Sequence, residues 1–515
     1  MRKILTAFPA LLICISAVAQ DDEIIKAATY LSGVSQAEEA DESWVLLLEH
    51  SPKVRVNSNR LRAGILSDYQ VASIRDYRSS HGDILSPAEL ALLDGFSQES
   101  VDVLRPFLSF ESRRLPGQAD TSRIHAVALV RTTLSSIGTK ARAEWKDYRA
   151  GIAWRGQDGT FYADADTRLG RLTVGDMNLR FGQGLVLWSG FSMTSLSTVD
   201  AFIKRSTGIS PVWSYNSSSV HRGVAYEYAG SNFSASGFWS KGVYCAHVEY
   251  LWLSGIIGLT ASSNGFSLDG RYNRKGFSLA LEAALRSGKV AATASARFKG
   301  FAFQIRAIPS AYSGKKYGEY ALAGGYEGRS MPVSKYSFTM DAALLPLPGT
   351  DPGRLQIRAY GNLSLQLSPS WTADLRLTER YRNFESPRTD IRADLRYGSG
   401  PWLGTFRTEA VQCSDWGFLS YLEGGRKTDK SALYIRLTGF STASWNSRIY
   451  CYERDAPGTF SVPAYSGKGI SASIVGGLKF RIWRVTLKGN LRAASTFRVG
   501  RTPAYTLNFQ LQATI

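Results

Sequence analysis

The sequence predicts a mainly β protein: a large transmembrane antiparallel β-barrel of roughly 18–22 strands, preceded by a small all-α domain of tandem helix, hairpin, helix units. Three observations predict it. The chain opens with an export signal, yet holds no later run of the ~18 apolar residues that a spanning helix needs. Its last residues, Tyr505 to Ile515, alternate apolar and polar without a break, one face fully apolar and the other polar and uncharged. Everything from about residue 124 onward reads as successive period-two strands with no helix between them.

The first element is the export signal. Arg2 and Lys3 precede the apolar stretch Ile4 to Ile15, and Ala17-Val18-Ala19 supplies small residues for cleavage, so residues 1–19 read as a removed signal peptide. Cys14 follows Ile13 rather than a small residue, so it reads as filler of the signal core and not as a lipid-attachment site. The richest later stretch, Tyr250 to Ala261, is broken by Ser254, Gly255 and Gly258. An exported chain without a membrane helix is either soluble or a barrel.

Composition favours the barrel. Gly 48, Tyr 25, Phe 24 and Trp 12 occur with only 20% charged residues, and mean hydropathy is −0.15. Only one face of each barrel strand meets lipid, while Trp and Tyr gather at the interfaces. The net charge of +18 favours anionic neighbours such as lipopolysaccharide phosphates or nucleic acid. Cys245, Cys413 and Cys451 survive cleavage; an odd count at wide spacing is no disulfide framework, though it leaves room for one bridge.

Residues 20–112 form the second element, a helical domain expected in the periplasm. Ser86-Pro87-Ala88-Glu89 is a capping box with Pro at the first helical position, starting a helix through Leu93. Asp94-Gly95-Phe96-Ser97 then turns, and Ser97 caps a helix whose Val101, Leu104 and Leu108 share a face. The first unit is similar: Asn59 opens a short helix, Gly64-Ile65-Leu66-Ser67 turns, and a helix carrying Val71 and Ile74 inward ends at Gly82.

A linker at residues 113–123, containing Arg113-Arg114-Leu115-Pro116-Gly117, leads to the barrel at 124–515. Clear strands there include Ala126 to Leu134, Leu172 to Phe181, Phe277 to Leu285, Trp371 to Leu377 and Ile470 to Phe480. In Trp371 to Glu379, Thr372, Asp374, Arg376 and Thr378 share the face that would line a wet lumen. Gly190 to Ser219 lacks alternation and reads as a long loop, at the surface in preference to the lumen.

The runs Val56-Asn57-Ser58-Asn59, Val71 to Arg78 and Leu90 to Phe107 resemble the tandem helix-hairpin-helix domain of periplasmic competence DNA receptors. The chain as a whole resembles Gram-negative outer-membrane proteins that join this domain to a barrel. The barrel motifs carrying that resemblance are Val174-Gly175-Asp176, Phe181-Gly182-Gln183-Gly184 through Trp188-Ser189-Gly190, His221-Arg222-Gly223-Val224-Ala225, and Tyr452-Glu453-Arg454 leading to Phe460-Ser461-Val462-Pro463.

The resemblance implies duplex DNA binding without sequence preference, the hairpin N–H groups and the next helix N-terminus meeting a phosphate. The residues at those positions are Gly64, Ile65, Gly95, Phe96 and Ser97, with Arg75, Arg78 and Arg105 adding charge. Both hairpins keep only one of the two usual glycines, and Asp94, Glu99 and Asp102 crowd the second. A periplasmic protein is the competing partner for the same domain.

His50, His81, His125, His221 and His247 show no metal-ligand spacing, and no nucleophile elbow or phosphate loop is present, so neither cofactor nor catalysis is expected. Gly182-Gln183-Gly184 reads as a tight turn or bulge at the barrel rim. Two functions are compatible with the sequence: an outer-membrane barrel whose helical domain serves DNA uptake or envelope assembly, and a porin-like channel or transporter in which that domain plugs or docks.

Overall fold

Two-residue hairpins set the architecture. Ser287-Gly288 (φ 49° and 72°) and Lys299-Gly300 (φ 46° and 87°) hold both turn residues at positive φ, the type I′ geometry that matches the twist of paired strands. The computed structural model describes residues 20–112 and 124–514, apart from 191–195, 219, 231, 275, 331–333, 347–352, 429 and 496–501. The signal peptide and the linker expected at 113–123 lie outside the described residues.

The first twelve wall strands are β1 His125–Thr132, β2 Ile137–Trp145, β3 Tyr148–Arg155, β4 Asp158–Asp166, β5 Arg171–Arg180, β6 His221–Ala229, β7 Phe233–Ser240, β8 Val243–Trp252, β9 Gly255–Ser262, β10 Gly265–Arg274, β11 Phe277–Arg286 and β12 Lys289–Phe298. The rest are β13 Phe301–Ile308, β14 Glu319–Ser330, β15 Ser334–Leu345, β16 Arg354–Ser368, β17 Trp371–Arg382, β18 Glu385–Ser399, β19 Trp402–Gln412, β20 Trp416–Lys427, β21 Ser431–Thr442, β22 Lys468–Phe480, β23 Trp483–Ser495 and β24 Thr502–Thr514. Antiparallel pairing closes these 24 strands into one barrel. The count exceeds the expected 18–22 because many strands hold only 8–10 residues and many turns only two.

β24 closes the ring against β1, from Phe509 opposite Thr132 to Thr514 opposite Val127. Leu507 and Phe509 face outward, whereas Gln510 is buried inside and accepts from Arg131 Nε at 2.8 Å. The same division runs round the wall. On β10, Phe266 and Leu268 are exposed outside while Ser267 and Asp269 are buried inside. Exposed Tyr148, Tyr250, Trp371, Trp402 and Trp483 form one aromatic girdle; Trp154, Trp239, Tyr244, Phe266 and Trp416 form the other. Tyr148 and Trp154 are six residues apart on β3, roughly 20 Å along a strand, which suits a lipid-facing band.

The helical domain contains α1 Gln20–Ser32, a 3₁₀ turn Ala37–Glu39, α2 Glu42–His50, α3 Asp68–His81, α4 Pro87–Ala91 and α5 Gln98–Leu104. Its core joins Ile24, Trp44, Leu48, Leu66, Ile74 and Leu104. Ser86 and Ser97 cap α4 and α5 as expected, and Ser67, expected only as part of the turn, caps α3. Two details differ. No helix forms at Asn59; Arg60 instead donates to the Asp166 main-chain carbonyl and Arg62 to its carboxylate, both on the wall. α4 ends at Ala91, two residues short of Leu93, as the chain enters the hairpin.

α1 and α2 add to the helices expected from the sequence. Their signals are nonetheless present in it: Ile24, Ala27, Ala28 and Leu31 follow helical spacing, and the Asp41 carboxylate caps α2 by accepting from Ser43 N–H at 2.9 Å.

Candidate functional site

The helical domain does not stand apart on a tether. It sits inside the ring, joined to inward-facing side chains of strands widely spaced around the wall. On its own side the groups are chiefly carboxylates: residues 20–112 hold sixteen Asp and Glu against eight Lys and Arg, while residues 113–515 hold 51 Lys and Arg against 27 Asp and Glu. The basic balance of the chain thus belongs to the wall.

The pairs follow that division. Asp41 bonds Arg180 at 2.9 Å and Glu49 bonds Lys140 at 3.0 Å. Asp22 meets Lys427 at 3.3 Å and also Arg454, while Glu39 meets Arg376. Asp68 meets Arg271. Contacts of the opposite sense gather at one place, Arg62 making two 3.1 Å bonds to Asp166 and Arg60 lying 3.8 Å from both Asp147 and Asp166.

Glu38 joins the helical domain to three further groups. It pairs with Arg392 at 3.3 Å and with Arg407, and accepts the Tyr452 N–H at 3.0 Å. Burial pushes its carboxyl up, but Arg407 and the Tyr452 bond prevail and hold it below the usual carboxylate range. Glu38 therefore ties together the plug, the wall at β18 and β19, and the loop between β21 and β22.

Both long loops enter the lumen as well. The segment Gly190 to Ser219, expected at the surface, lies between plug and wall where described. Asn362 and Gln304 donate to its Ser197 and Phe202 carbonyls, both at 2.8 Å, while Ser197 Oγ donates to Glu39 at 2.7 Å. Its buried Leu196, Phe202 and Trp213 explain the placement, since a surface loop would leave them in water. Gly182-Gln183-Gly184 is a tight turn, but inside the lumen rather than at the rim. The Gln183 and Leu185 N–H groups donate to Glu282 at 2.6 and 3.2 Å, so the protein's own carboxylate fills this cradle.

Outside apolar, inside polar and closed into a ring, the wall is built for a bilayer. The fold is that of an outer-membrane β-barrel. No protein-family model and no curated protein matches the sequence. Among solved structures, it is similar to the outer-membrane protein opdK from Pseudomonas aeruginosa, with 10% identity, 76% of this chain and 97% of that one covered, and a TM-score of 0.32. It is also similar to the P pilus usher (PapC) translocation pore, with 9% identity, 76% and 98% covered, and a TM-score of 0.36. BauA, the ferric preacinetobactin receptor from Acinetobacter baumannii, shows 8% identity, 76% and 80% covered, and a TM-score of 0.37. At these values the likeness concerns the fold alone.

The residues singled out for DNA contact lie together on the tandem hairpin unit, but several are turned into it. Ile65 is core, and the Gly64 N–H donates to Leu66 O at 2.8 Å. Arg75 donates to Leu61 O at 2.6 Å, and Arg78 to Ser58 O at 3.0 Å and to Asp83. Gly95, at φ 81°, accepts from Gln70 Nε2 at 2.9 Å, while half-buried Phe96 packs against the core and Ser97 caps α5. Arg105 is exposed at the end of α5.

Cys245, Cys413 and Cys451 are all free thiols. His221 packs edge-on against Phe238 with ring centres 5.8 Å apart. Among the described residues, no group of three His, Cys, Asp or Glu is placed to hold a metal.

Asp68 carries a pH dependence. It shares Arg271 with Glu249 and Asp269, His247 lies beside Glu249, and Arg75 is close by. Burial first, then Glu249 and Asp269, push the Asp68 carboxyl up to about 6 against the pull of Arg271. A carboxyl raised in the seated plug holds its proton more tightly seated than released. Its contribution to seating is complete below about pH 4 and is lost as pH rises through 6. Protease cleavage within residues 20–112 should become several-fold faster between pH 4 and 7, and Asp68→Asn should flatten that rise.

Proposed function

We propose that the chain is an outer-membrane conduit, a channel or transporter, whose N-terminal helical domain is the plug. The observation that carries this reading is the set of plug carboxylates, Asp22, Glu38, Glu39, Asp41, Glu49 and Asp68, each seated against wall or lumen-loop cations. Passage requires those pairs to part.

The mouth where β1 starts and β24 ends has only short turns, so it faces the periplasm and the opposite mouth faces outward. Outer-membrane lipid surrounds the apolar band, and lipopolysaccharide phosphates are fitting counterions for the basic wall. No enzymatic step belongs to this reading. Conductance of the chain with and without residues 20–112 tests it.

One observation favours DNA as a second ligand. The first hairpin opens on a cavity of about 1130 Å³ at the periplasmic mouth, lined by Lys53, Arg55, Arg60, Arg62, Lys146, Arg149, Arg168 and Arg171 as well as Gly64 and Ile65. Asp147 and Asp166 line it too, and Arg60, Arg62, Arg149 and Arg171 are already paired with Asp147, Asp164 or Asp166, so a polyanion would be met by Lys53, Arg55, Lys146 and Arg168. Duplex DNA titrated against the full chain at several salt concentrations should bind with a steep salt slope, and Lys53→Glu with Arg55→Glu should shallow the slope by about two. No binding even at low salt would leave the domain as plug alone.

A further inference from the structure

The wall is interrupted at one place. β5 is paired on both sides at Gly175, with Tyr162 of β4 and Gly223 of β6. There it bends into the lumen. Gly175 has φ 114°, and a Cβ at this position would lie 2.2 Å from the Phe161 carbonyl oxygen, so the bend requires glycine. Past the bend, Met177 to Arg180 pair with the short inner strand Gly208–Pro211 rather than with β4. Asp158 to Phe161 of β4, roughly 13 Å of strand edge, have no strand partner on that side.

Side chains bridge the interruption instead. The Asp176 carboxylate accepts the Phe161 N–H at 2.9 Å, and Arg222 bonds both Asp176 oxygens at 2.9 Å. Arg222 also donates to Gly159 O at 3.1 Å and lies over the Phe161 ring. Asp176 is buried, yet the Arg222 side chain is 55% exposed on the outer face, beside Phe161 and level with Trp154 and Trp239 of the outer girdle. A guanidinium at that depth sits among lipid headgroups.

Behind the interruption, apolar and cationic groups adjoin. Met177, Leu179, Ile209 and Phe238 form an apolar cluster on the lumen side. Next to it, Trp213 packs on Tyr162 with Tyr215 alongside. Lys140 and Arg142, 4.7 and 5.3 Å from the Trp213 ring centre, are held by Glu49 and the His50 carbonyl. Arg155, 4.1 Å from the Tyr215 ring centre, instead has a buried Nε, and Tyr215 a buried hydroxyl, with no hydrogen-bond partner among the described residues. Hydrocarbon and one negative charge are what these surroundings accept together.

We propose that the gap between β4 and β6 is a lateral portal, latched by the Arg222–Asp176 pair, through which an amphiphile with one anionic head passes between the outer leaflet and the Trp213–Tyr215 cluster. The head is a phosphate or a carboxylate, and the chain threads past Phe161. The portal goes beyond the plugged-conduit reading and is measured separately: axial conductance reports on the plug, lateral loading on the latch.

The test uses the full chain in phosphatidylcholine vesicles with three diazirine-bearing probes of one chain length: a fatty acid, a lysophosphatidate and a fatty alcohol. After illumination, labelled residues are located by mass spectrometry. The acidic probes should label Trp213, Tyr215 and Met177, and Arg222→Gln or Asp176→Asn should raise that labelling at least about fivefold, the effect of losing one ion pair exposed on its Arg222 side. Labelling by lysophosphatidate alone identifies a lipid phosphate, and by the fatty acid alone a free carboxylate. Equal labelling of the inner residues by the alcohol overturns the anionic head. Labels confined to outward residues such as Phe161, Val224 and Trp239, in the wild type and in whichever latch variant keeps the heat-modifiable mobility of a folded barrel, overturn the portal.

Discussion

Deleting residues 20–112 should convert a closed barrel into a wide, anion-selective pore. Barrels of 16–18 strands already enclose an aqueous channel, and those of 22 strands need a plug, so a ring of 24 cannot fill its lumen with its own side chains. Two lumen loops narrow the opening, but the helical domain spans the remainder. Its removal also takes Glu39 from Arg376 and Glu49 from Lys140, while Arg271 keeps Glu249 and Asp269, and Arg392 and Arg407 are left to share Asp394. Uncompensated cations concentrate anions along the path. Planar bilayers under a salt gradient should therefore show large conductance steps with a reversal potential on the anion side, falling in selectivity as salt screens the wall. A closed pore in both forms of the protein would sink the conduit reading.

Glu38→Gln should be the most disruptive single substitution in the plug. Three elements meet at that carboxylate, and its removal leaves Arg392 and Arg407 short of a charge in a site with little water. Breaking a buried pair of this kind costs about 3 kcal/mol, or roughly 100-fold in the population of released plug. The intact chain would then open in bursts at a voltage where wild type stays shut. Glu38→Asp, which keeps the charge but shortens the reach, should recover part of the difference. If the Glu38→Gln variant were as quiet as wild type, the seat would rest on packing rather than on charge.

The barrel was legible because its signal is local. Alternation along β10 or β24 needs only neighbouring residues, and the lipid face declares itself every second position. The plug was not legible from periodicity, because its seat is built of pairs far apart in the chain, Glu38 with Arg407 and Asp22 with Arg454. One sequence clue did exist. Sixteen carboxylates against eight bases before residue 113, followed by a strongly basic remainder, describe two surfaces made to meet. The lumen loop gave a second clue in Leu196, Phe202 and Trp213, too apolar for the surface that its missing alternation suggested. Capping chemistry located α4 and α5, whereas Arg60 and Arg62 show contacts with Asp166 of the wall overriding a local helix start.

The seam between β24 and β1 bears on assembly. The wall cannot shut until its final strand has been made, by which time the helical domain has long been available. Strands from β2 to β20 then arrive around a body already carrying the charges they require, so that body can act as the former on which the wall is wound. Such contacts between distant parts of a chain make for slow folding. They also give the helical domain a second use, as a mould on which the shell can close.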